Sequence, residues 1–150
     1  MEQDMERHPV FVALAQSRQD HQYQRVLDSV PYAAGLGMQV TEAAGELWFT
    51  LPYQERHVGN MLLPALHGGV IGGFMECCAQ LYILWRQESE AIPLTVDFAI
   101  DYLRSGRAQD TYAACHLTRQ GKRVAHITIE AWQEDRSKPI AVARAHCLLT

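Results

Sequence analysis

The run LPALHGGVIGGFMECCAQLYILW, Leu63 to Trp85, is almost entirely apolar, yet it carries one carboxylate, Glu76, near its middle. Two glycines, Gly68 and Gly69, follow His67, and Glu76 stands nine residues after that histidine. If the run is a helix opening here, its first turn leaves backbone N–H groups free and carries partial positive charge, while glycines let a substrate carbonyl come close to the backbone. Gly68 and Gly69 then offer an oxyanion hole to a carbonyl under attack. A carboxylate on an apolar helix is costly unless it is paired or solvated. Glu76 therefore reads as a general base toward water, or as a nucleophile that forms an anhydride. Blander readings stand beside these. The glycines can simply permit a tight loop-to-helix turn, and Arg104 or another cation can neutralise Glu76 to hold subunits together.

The spacing carries a further expectation. Nine residues of helix rise about 13.5 Å and turn about 900°, which sets Glu76 well below Gly68 and pointing away from it. One chain cannot easily bring both groups to one carbonyl. Two such helices packed antiparallel across a two-fold axis place Glu76 of one chain near Gly68 of the other, so a homodimer with two shared sites is expected.

These groups need a scaffold. From Val70 to Trp85 the run is apolar on every face apart from Glu76 and Gln80, with Tyr82 amphipathic. A helix of that kind has to be enclosed on several sides. Four runs rich in β-formers follow, Pro93 to Leu103, Asp110 to Arg119, Arg123 to Glu134 and Ile140 to Leu149, separated by the short turns SGRAQ, QGK and DRSKP. In VAHITIEAW, Val124, His126, Thr128 and Glu130 cannot share a face with Ala125, Ile127, Ile129 and Ala131. Strands joined in sequence by tight turns are expected to pair antiparallel, with the greasy helix covering their apolar face.

Upstream, residues 3 to 28 lack glycine, and Phe11, Leu14, Arg18, Tyr23, Val26 and Leu27 approximate a helical stripe. One amphipathic helix on the surface of the fold is expected there. SVPYAAGLG breaks that pattern, and MQVTEAAGELWFTL reads as two short strands, Met38 to Glu42 and Glu46 to Leu51, turning at Ala44-Gly45. Residues 52 to 66 have two prolines and a Gly-Asn pair without periodicity, and read as a loop. The expected organisation is a helical extension over residues 1–30 and a single α+β domain over 31–150.

Composition narrows the function classes. A chain of 150 residues with 48% hydrophobic content supports one core. The net charge is -4 and the basic residues are scattered, which argues against a nucleic-acid surface. Gly72, Gly73, Glu76 and Gln80 make a buried core helix the better reading than a membrane span. MEQDMERHPV is acidic and polar where a secretory signal needs a basic segment and an apolar run. Cys77, Cys78, Cys115 and Cys147 form no CxxC pair, and the seven histidines no HExxH. Core thiols in a reducing cytoplasm are expected, with no metal and no other cofactor.

LHGGVIGGFMECC resembles the signature of PaaI-like acyl-CoA thioesterases, a branch of the hotdog-fold enzymes in which His-Gly-Gly opens the central helix and an Asp or Glu follows nine residues after the His. LTVDFAIDYLRSG resembles the family's next strand, and RQGKRVAHITIEAW with IAVARAHCLL its last two. The resemblance spans about Gly35 to Leu149 and implies an antiparallel sheet wrapped around one long helix. It also implies hydrolysis of an acyl-CoA thioester and a homodimer with shared active sites, a dimer of dimers being common in the family.

Residue by residue, the resemblance assigns the acid to Glu76 and the oxyanion donor to the amide of Gly68, with Gly69 beside it. His67 becomes a helix-start residue bonded to backbone rather than the base. The family often has an Asn six residues before the His to polarise the thioester carbonyl. Here Asn60 is seven before His67, with Met61 at the expected place, so Asn60 either regains that contact through a loop insertion or only makes a turn beside Gly59. Thr95 stands where some members have a hydroxyl that positions water, and is equally a plain β-former. Arg104, Arg107, Arg119, Lys122 and Arg123 are candidates for the CoA phosphates. Phe74, Met75, Cys78, Leu81, Tyr82, Trp48 and Met61 are candidates for lining the acyl pocket, which leans toward a medium or long aliphatic chain. A hydratase or dehydratase acting on acyl thioesters, and a non-catalytic acyl-CoA binding module, are the alternatives.

Overall fold

The computed structural model describes residues 7–87 and 91–149 of the 150-residue chain. The N-terminal stripe is broken into two helices, α1 (Pro9–Asp20) and α2 (Gln24–Asp28), and a third, α3 (Pro31–Leu36), lies in the stretch read as a break. Residues 3–6 of the expected helix lie outside the described residues. α1 stops because His21 turns left-handed, φ 59°, while Asp20 Oδ1 accepts the Gln22 N–H at 3.0 Å in competition with the helix. α3 opens on Pro31 and closes on Gly37 at φ 72°, where glycine carries no Cβ penalty.

The stripe itself does more than lie on the surface. Phe11, Leu14, Tyr23, Val26 and Leu27 are buried in the same apolar cluster as the rest of the chain. Arg18 donates to the carbonyls of Leu84 and Gln87 at the far end of the central helix. A guanidinium there satisfies orphan carbonyls and meets the negative end of the helix dipole.

Strands β1 (Gln39–Ala43) and β2 (Glu46–Leu51) form a hairpin whose turn residues Ala44 and Gly45 both have positive φ, 53° and 75°, the backbone that a two-residue hairpin needs. The stretch read as a loop contains a small hairpin, β3 (Val58–Asn60) with β4 (Ala65–Leu66). The central helix is α4 (Gly68–Arg86), and β5 (Leu94–Tyr102), β6 (Thr111–Gln120), β7 (Val124–Trp132) and β8 (Ala141–Leu148) follow. The six long strands make one antiparallel sheet in the order β1-β2-β6-β7-β8-β5. The order departs from the sequence at two places, β2 beside β6 and β8 beside β5. β5 does not neighbour β6, because the connection after Tyr102 crosses the end of the sheet and β5 pairs with β8 at the edge.

α4 lies against one face of this sheet, touching β2, β5, β6, β7 and β8. The face it meets is floored by small residues: Ala113 on β6, Ala125 and Ala131 on β7, and Ala141, Ala143 and Ala145 on β8 are all buried. Small side chains let the helix settle close, and Phe74, Met75, Cys78 and Ile83 are fully enclosed. Each large apolar side chain buried in this way is worth about 1.5–3 kcal/mol. The helix is nevertheless not closed on every side. Gly72, Gly73, Glu76 and Gln80 stay half-buried and Gly69 is exposed, a half-open strip bordered by Tyr32 at Gly73 and by Tyr102 at Gly72.

Glycine at position 59 is a packing requirement. A Cβ there would stand 2.8 Å from Cα and Cβ of His67, so the β3–β4 hairpin could not hold its place beside the helix start. Gly59→Ala is expected to lower unfolding stability by about 1–3 kcal/mol. Gly35→Ala, where nothing lies within 4 Å, is the control and leaves stability equal or slightly higher. Urea titration of the two variants checks this, and equal midpoints would remove the claim.

Candidate active site

The start of α4 is fastened from three sides. The His67 N–H donates to the carbonyl of His57 at 2.8 Å, and Leu66 N–H to that of Gly106 at 2.9 Å, tying the strand before the helix to two loops. The His67 carbonyl accepts from Val70 and Ile71, closing the first turn. His67 is the N-cap, and its Nδ1 accepts the Gly69 N–H at 2.9 Å. Accepting at Nδ1 uses that nitrogen's lone pair.

The two candidate amides are thereby separated. The N–H of Gly69 is taken by His67, and its lack of a Cβ is what admits the ring, since a Cβ would lie 2.9 Å from Nδ1. The N–H of Gly68 has no hydrogen-bond partner among the described residues. It is a free donor at the positive end of a helix of 19 residues.

Beside it lies Tyr102, the last residue of β5, which the sequence reading passed over. Its hydroxyl donates to the Gly68 carbonyl at 2.7 Å, and the phenol lies close over Gly68 and Gly72. The signal for it was the inward alternation Phe98, Ile100, Tyr102, opposite Ala145, Ala143 and Ala141 of β8. A hollow of about 390 Å³ opens here between Leu66, Gly68, Ile71, Tyr102, Arg104 and Gly106. A larger one, about 650 Å³, lies on the outer face of the sheet between Glu46, Arg136 and Arg144 and touches no candidate site residue.

Glu76 sits farther along the same half-open strip. Counting from Gly68, the first residue inside the helix, the separation is eight residues, about 12 Å along the axis and about 80° around it. The expectation that the two point apart is corrected accordingly: His67 is a cap outside the helix, and Glu76 and Gly68 lie on adjoining sectors. The axial distance still separates them. Glu76 has no ion pair or hydrogen bond among the described residues. Arg104, considered as its neutralising cation, instead donates to the Pro139 carbonyl at 2.7 Å.

Around Glu76 the structure gathers a second group. One helical turn on, Gln80 donates through Nε2 to Thr95 Oγ1 at 3.2 Å and to the Pro93 carbonyl at 3.3 Å. Thr95 Oγ1 is 4.0 Å from Cys147 Sγ. Burial pushes the Cys147 thiol up, and the Glu76 charge adds to it. Burial also pushes the adjacent Cys77 thiol up to about 12, again with Glu76 contributing. Both cysteines are protonated packing groups, not nucleophiles.

The remaining candidates are scattered. Asn60 is exposed, and its Oδ1 accepts from Leu62 and Leu63 at 3.0 and 3.3 Å, so its carbonyl makes a turn while its amide nitrogen has no partner among the described residues. Met61 projects at 84% exposure. Arg104 borders the hollow beside Gly68, whereas Lys122 and Arg123 occupy the β6–β7 turn at the opposite end of the sheet. Several acyl-pocket candidates are corrected: Phe74, Met75, Cys78 and Leu81 are packed in the core, and Trp48 alternates with the inward Leu47 and Phe49, which turns it to the outer face. Tyr82 tilts against Trp85, which packs on Tyr23.

Comparison with known proteins agrees with this architecture. Residues 63–140 match the sequence profile of the Thioesterase superfamily. The medium/long-chain acyl-CoA thioesterase YigI of Escherichia coli is 30% identical over 121 residues, covering 71% of this chain and 78% of that protein. A crystal structure of a Chromobacterium violaceum protein is 51% identical and superposes with a TM-score of 0.75 over 91% of this chain and 96% of its own. A phenylacetic acid degradation-related protein of Ralstonia eutropha, 24% identical, shares the fold with a TM-score of 0.72 over 88% and 97% of the two chains. The chain belongs to the thioesterase superfamily and is a thioester hydrolase of the hotdog fold.

Proposed function

We propose that the chain hydrolyses acyl-CoA thioesters carrying a medium or long aliphatic acyl group, in two sites shared across a homodimer. The observation that carries this reading is the unpartnered Gly68 N–H on the same half-open strip as an unpaired Glu76. Glu76 takes a proton from water, whose oxygen adds to the thioester carbonyl, and the resulting oxyanion is held at the Gly68 N–H. Collapse of the tetrahedral species breaks the carbon–sulfur bond, releasing the free acid and CoA thiolate. The Thr95 hydroxyl accepts from Gln80 and lies 4.0 Å from Cys147 Sγ, close to the place where that water would stand.

The distance between Gly68 and Glu76 supports sharing between chains. β5 is a free edge of nine residues with Leu94, Val96 and Tyr102 exposed, and such an edge is a template for pairing. Within one chain the end of β5 lies by the start of α4, and its start lies by Gln80, so strand and helix run antiparallel. Two β5 edges paired antiparallel would therefore bring the Gly68–Tyr102 end of one chain to the Glu76–Thr95 region of the other. Lys122 and Arg123 of one chain would then approach Arg104 of its partner, which a single chain keeps apart. The exposed Met61, Leu62 and Leu63 would close over the aliphatic chain.

The test is thiol release from saturated acyl-CoAs, acetyl through palmitoyl, with phenylacetyl- and benzoyl-CoA alongside. A maximum at eight carbons or longer is expected. A maximum at the aryl substrates would change the substrate class. Hydration or simple binding without thiol release, by a folded dimer, would move the reading to one of the two alternatives.

A further inference from the structure

We infer that Tyr102 is a positioning residue for the oxyanion hole, its hydroxyl fixing the direction of the Gly68 N–H by holding the Gly68 carbonyl. The inference rests on the thioesterase reading above and adds to it a residue on a different element. The donor in question belongs to glycine, whose backbone is the freest of any residue. An oxyanion donor is effective only if it is already aimed at the place where charge develops. The structure restrains both peptides that flank the Gly68 Cα. The peptide from His67 to Gly68, which bears the N–H, is held through the His67 carbonyl by Val70 at 2.9 Å and Ile71 at 3.2 Å. The peptide from Gly68 to Gly69 is held at both ends, its N–H by His67 Nδ1 at 2.9 Å and its carbonyl by Tyr102 at 2.7 Å. Of these restraints, only the Tyr102 bond comes from outside the helix and its cap.

The glycines fit the same arrangement. A Cβ at Gly68 would stand 3.3 Å from the Tyr102 hydroxyl, closer than ordinary contact, so its absence lets the phenol settle on the first turn, whereas one at Gly72, at 3.5 Å, would only touch it. Tyr102 stands at the end of the free-edge strand, with its backbone registered against Ala141 of β8. Its aim is thus set by the sheet, and the sheet in turn aims the amide.

Tyr102→Phe keeps the ring and removes the hydroxyl. Its kcat is expected to fall roughly tenfold, the kinetic equivalent of one ordinary hydrogen bond, with KM unchanged. A second pair of measurements separates positioning from other roles. A ketone analogue of acyl-CoA that is hydrated or attacked at its carbonyl should bind the variant weaker by about the same factor as kcat/KM falls. An S-alkyl-CoA thioether, which has no carbonyl, should bind both proteins equally. Weaker thioether binding would make Tyr102 a substrate contact and overturn the inference, as would an unchanged kcat or a loss of activity matched by a loss of thermal stability. If the wild-type dimer releases thiol from no acyl-CoA, the thioesterase reading itself fails. Unchanged turnover in Tyr102→Phe beside an active wild type defeats only the role given to Tyr102.

Discussion

Glu76→Gln is expected to lower kcat for acyl-CoA hydrolysis by roughly a thousandfold, the scale of a lost general base, while the protein remains folded and the substrate still binds. The reasons are local. Glu76 makes no ion pair or hydrogen bond among the described residues, so replacing the carboxylate by an isosteric amide breaks no structural bond. Its half-buried place on α4 admits the amide without a change of volume. A carboxylate kept to neutralise a cation would behave in the opposite way, losing stability and sparing turnover. Steady-state thiol release, with thermal melting and sedimentation of the same preparation, distinguishes the two. Full activity in Glu76→Gln would sink the mechanism, and a monomeric or unfolded variant would return Glu76 to a structural role.

Gly68→Pro is expected to lower kcat by about a hundred- to a thousandfold, as loss of one oxyanion donor does. Proline is well suited to this test because Gly68 is the first helical residue, where a ring with fixed φ is favoured and a missing N–H costs the helix nothing. The residue before a proline has to be extended, and His67 already is, at φ -63° and ψ 130°. The substitution therefore removes the donor and keeps the helix, while its Cβ, 3.3 Å from the Tyr102 hydroxyl, makes that ring give by a few tenths of an ångström. Mixing it with Glu76→Ala tests whether sites are shared. If each site takes Gly68 from one chain and Glu76 from the other, a heterodimer contains one intact and one doubly defective site. Random exchange at equal amounts then restores about a quarter of the wild-type rate. Heterodimers that form but show no recovery would place both groups of each site in one chain.

Much of the fold was legible in the sequence because its periods are strong. The alternation in VAHITIEAW became the buried Ala125, Ile127, Ile129 and Ala131 of β7, and the β1–β2 turn fell at Ala44-Gly45. The all-round apolar run became α4, extended by two residues at its N-terminus and one at its C-terminus relative to the expected Val70 to Trp85. The N-terminal stripe was right that Phe11, Leu14, Tyr23, Val26 and Leu27 face inward, but Arg18 is exposed and the helix is not continuous. An Asp20 side chain competing for a backbone N–H and a left-handed His21 are local events that a periodic pattern averages away.

For the candidate site, the sequence by itself determined the chemical inventory: an acid on an apolar helix, paired glycines at the helix start, a histidine before them, and strands enough to wrap the helix. It could do so because residue type and spacing along one helix follow from local geometry. Tertiary structure decided which glycine amide is free, since that depends on where the His67 ring and the Tyr102 hydroxyl fall. It also put β5 beside β8 at the open edge, away from its sequence neighbour β6, and sent Phe74, Met75, Cys78 and Leu81 to the core while leaving Glu76 and Gln80 on the strip. Hydrogen-bond occupancy and burial are properties of pairs distant in the chain, and no local period encodes which pairs will meet.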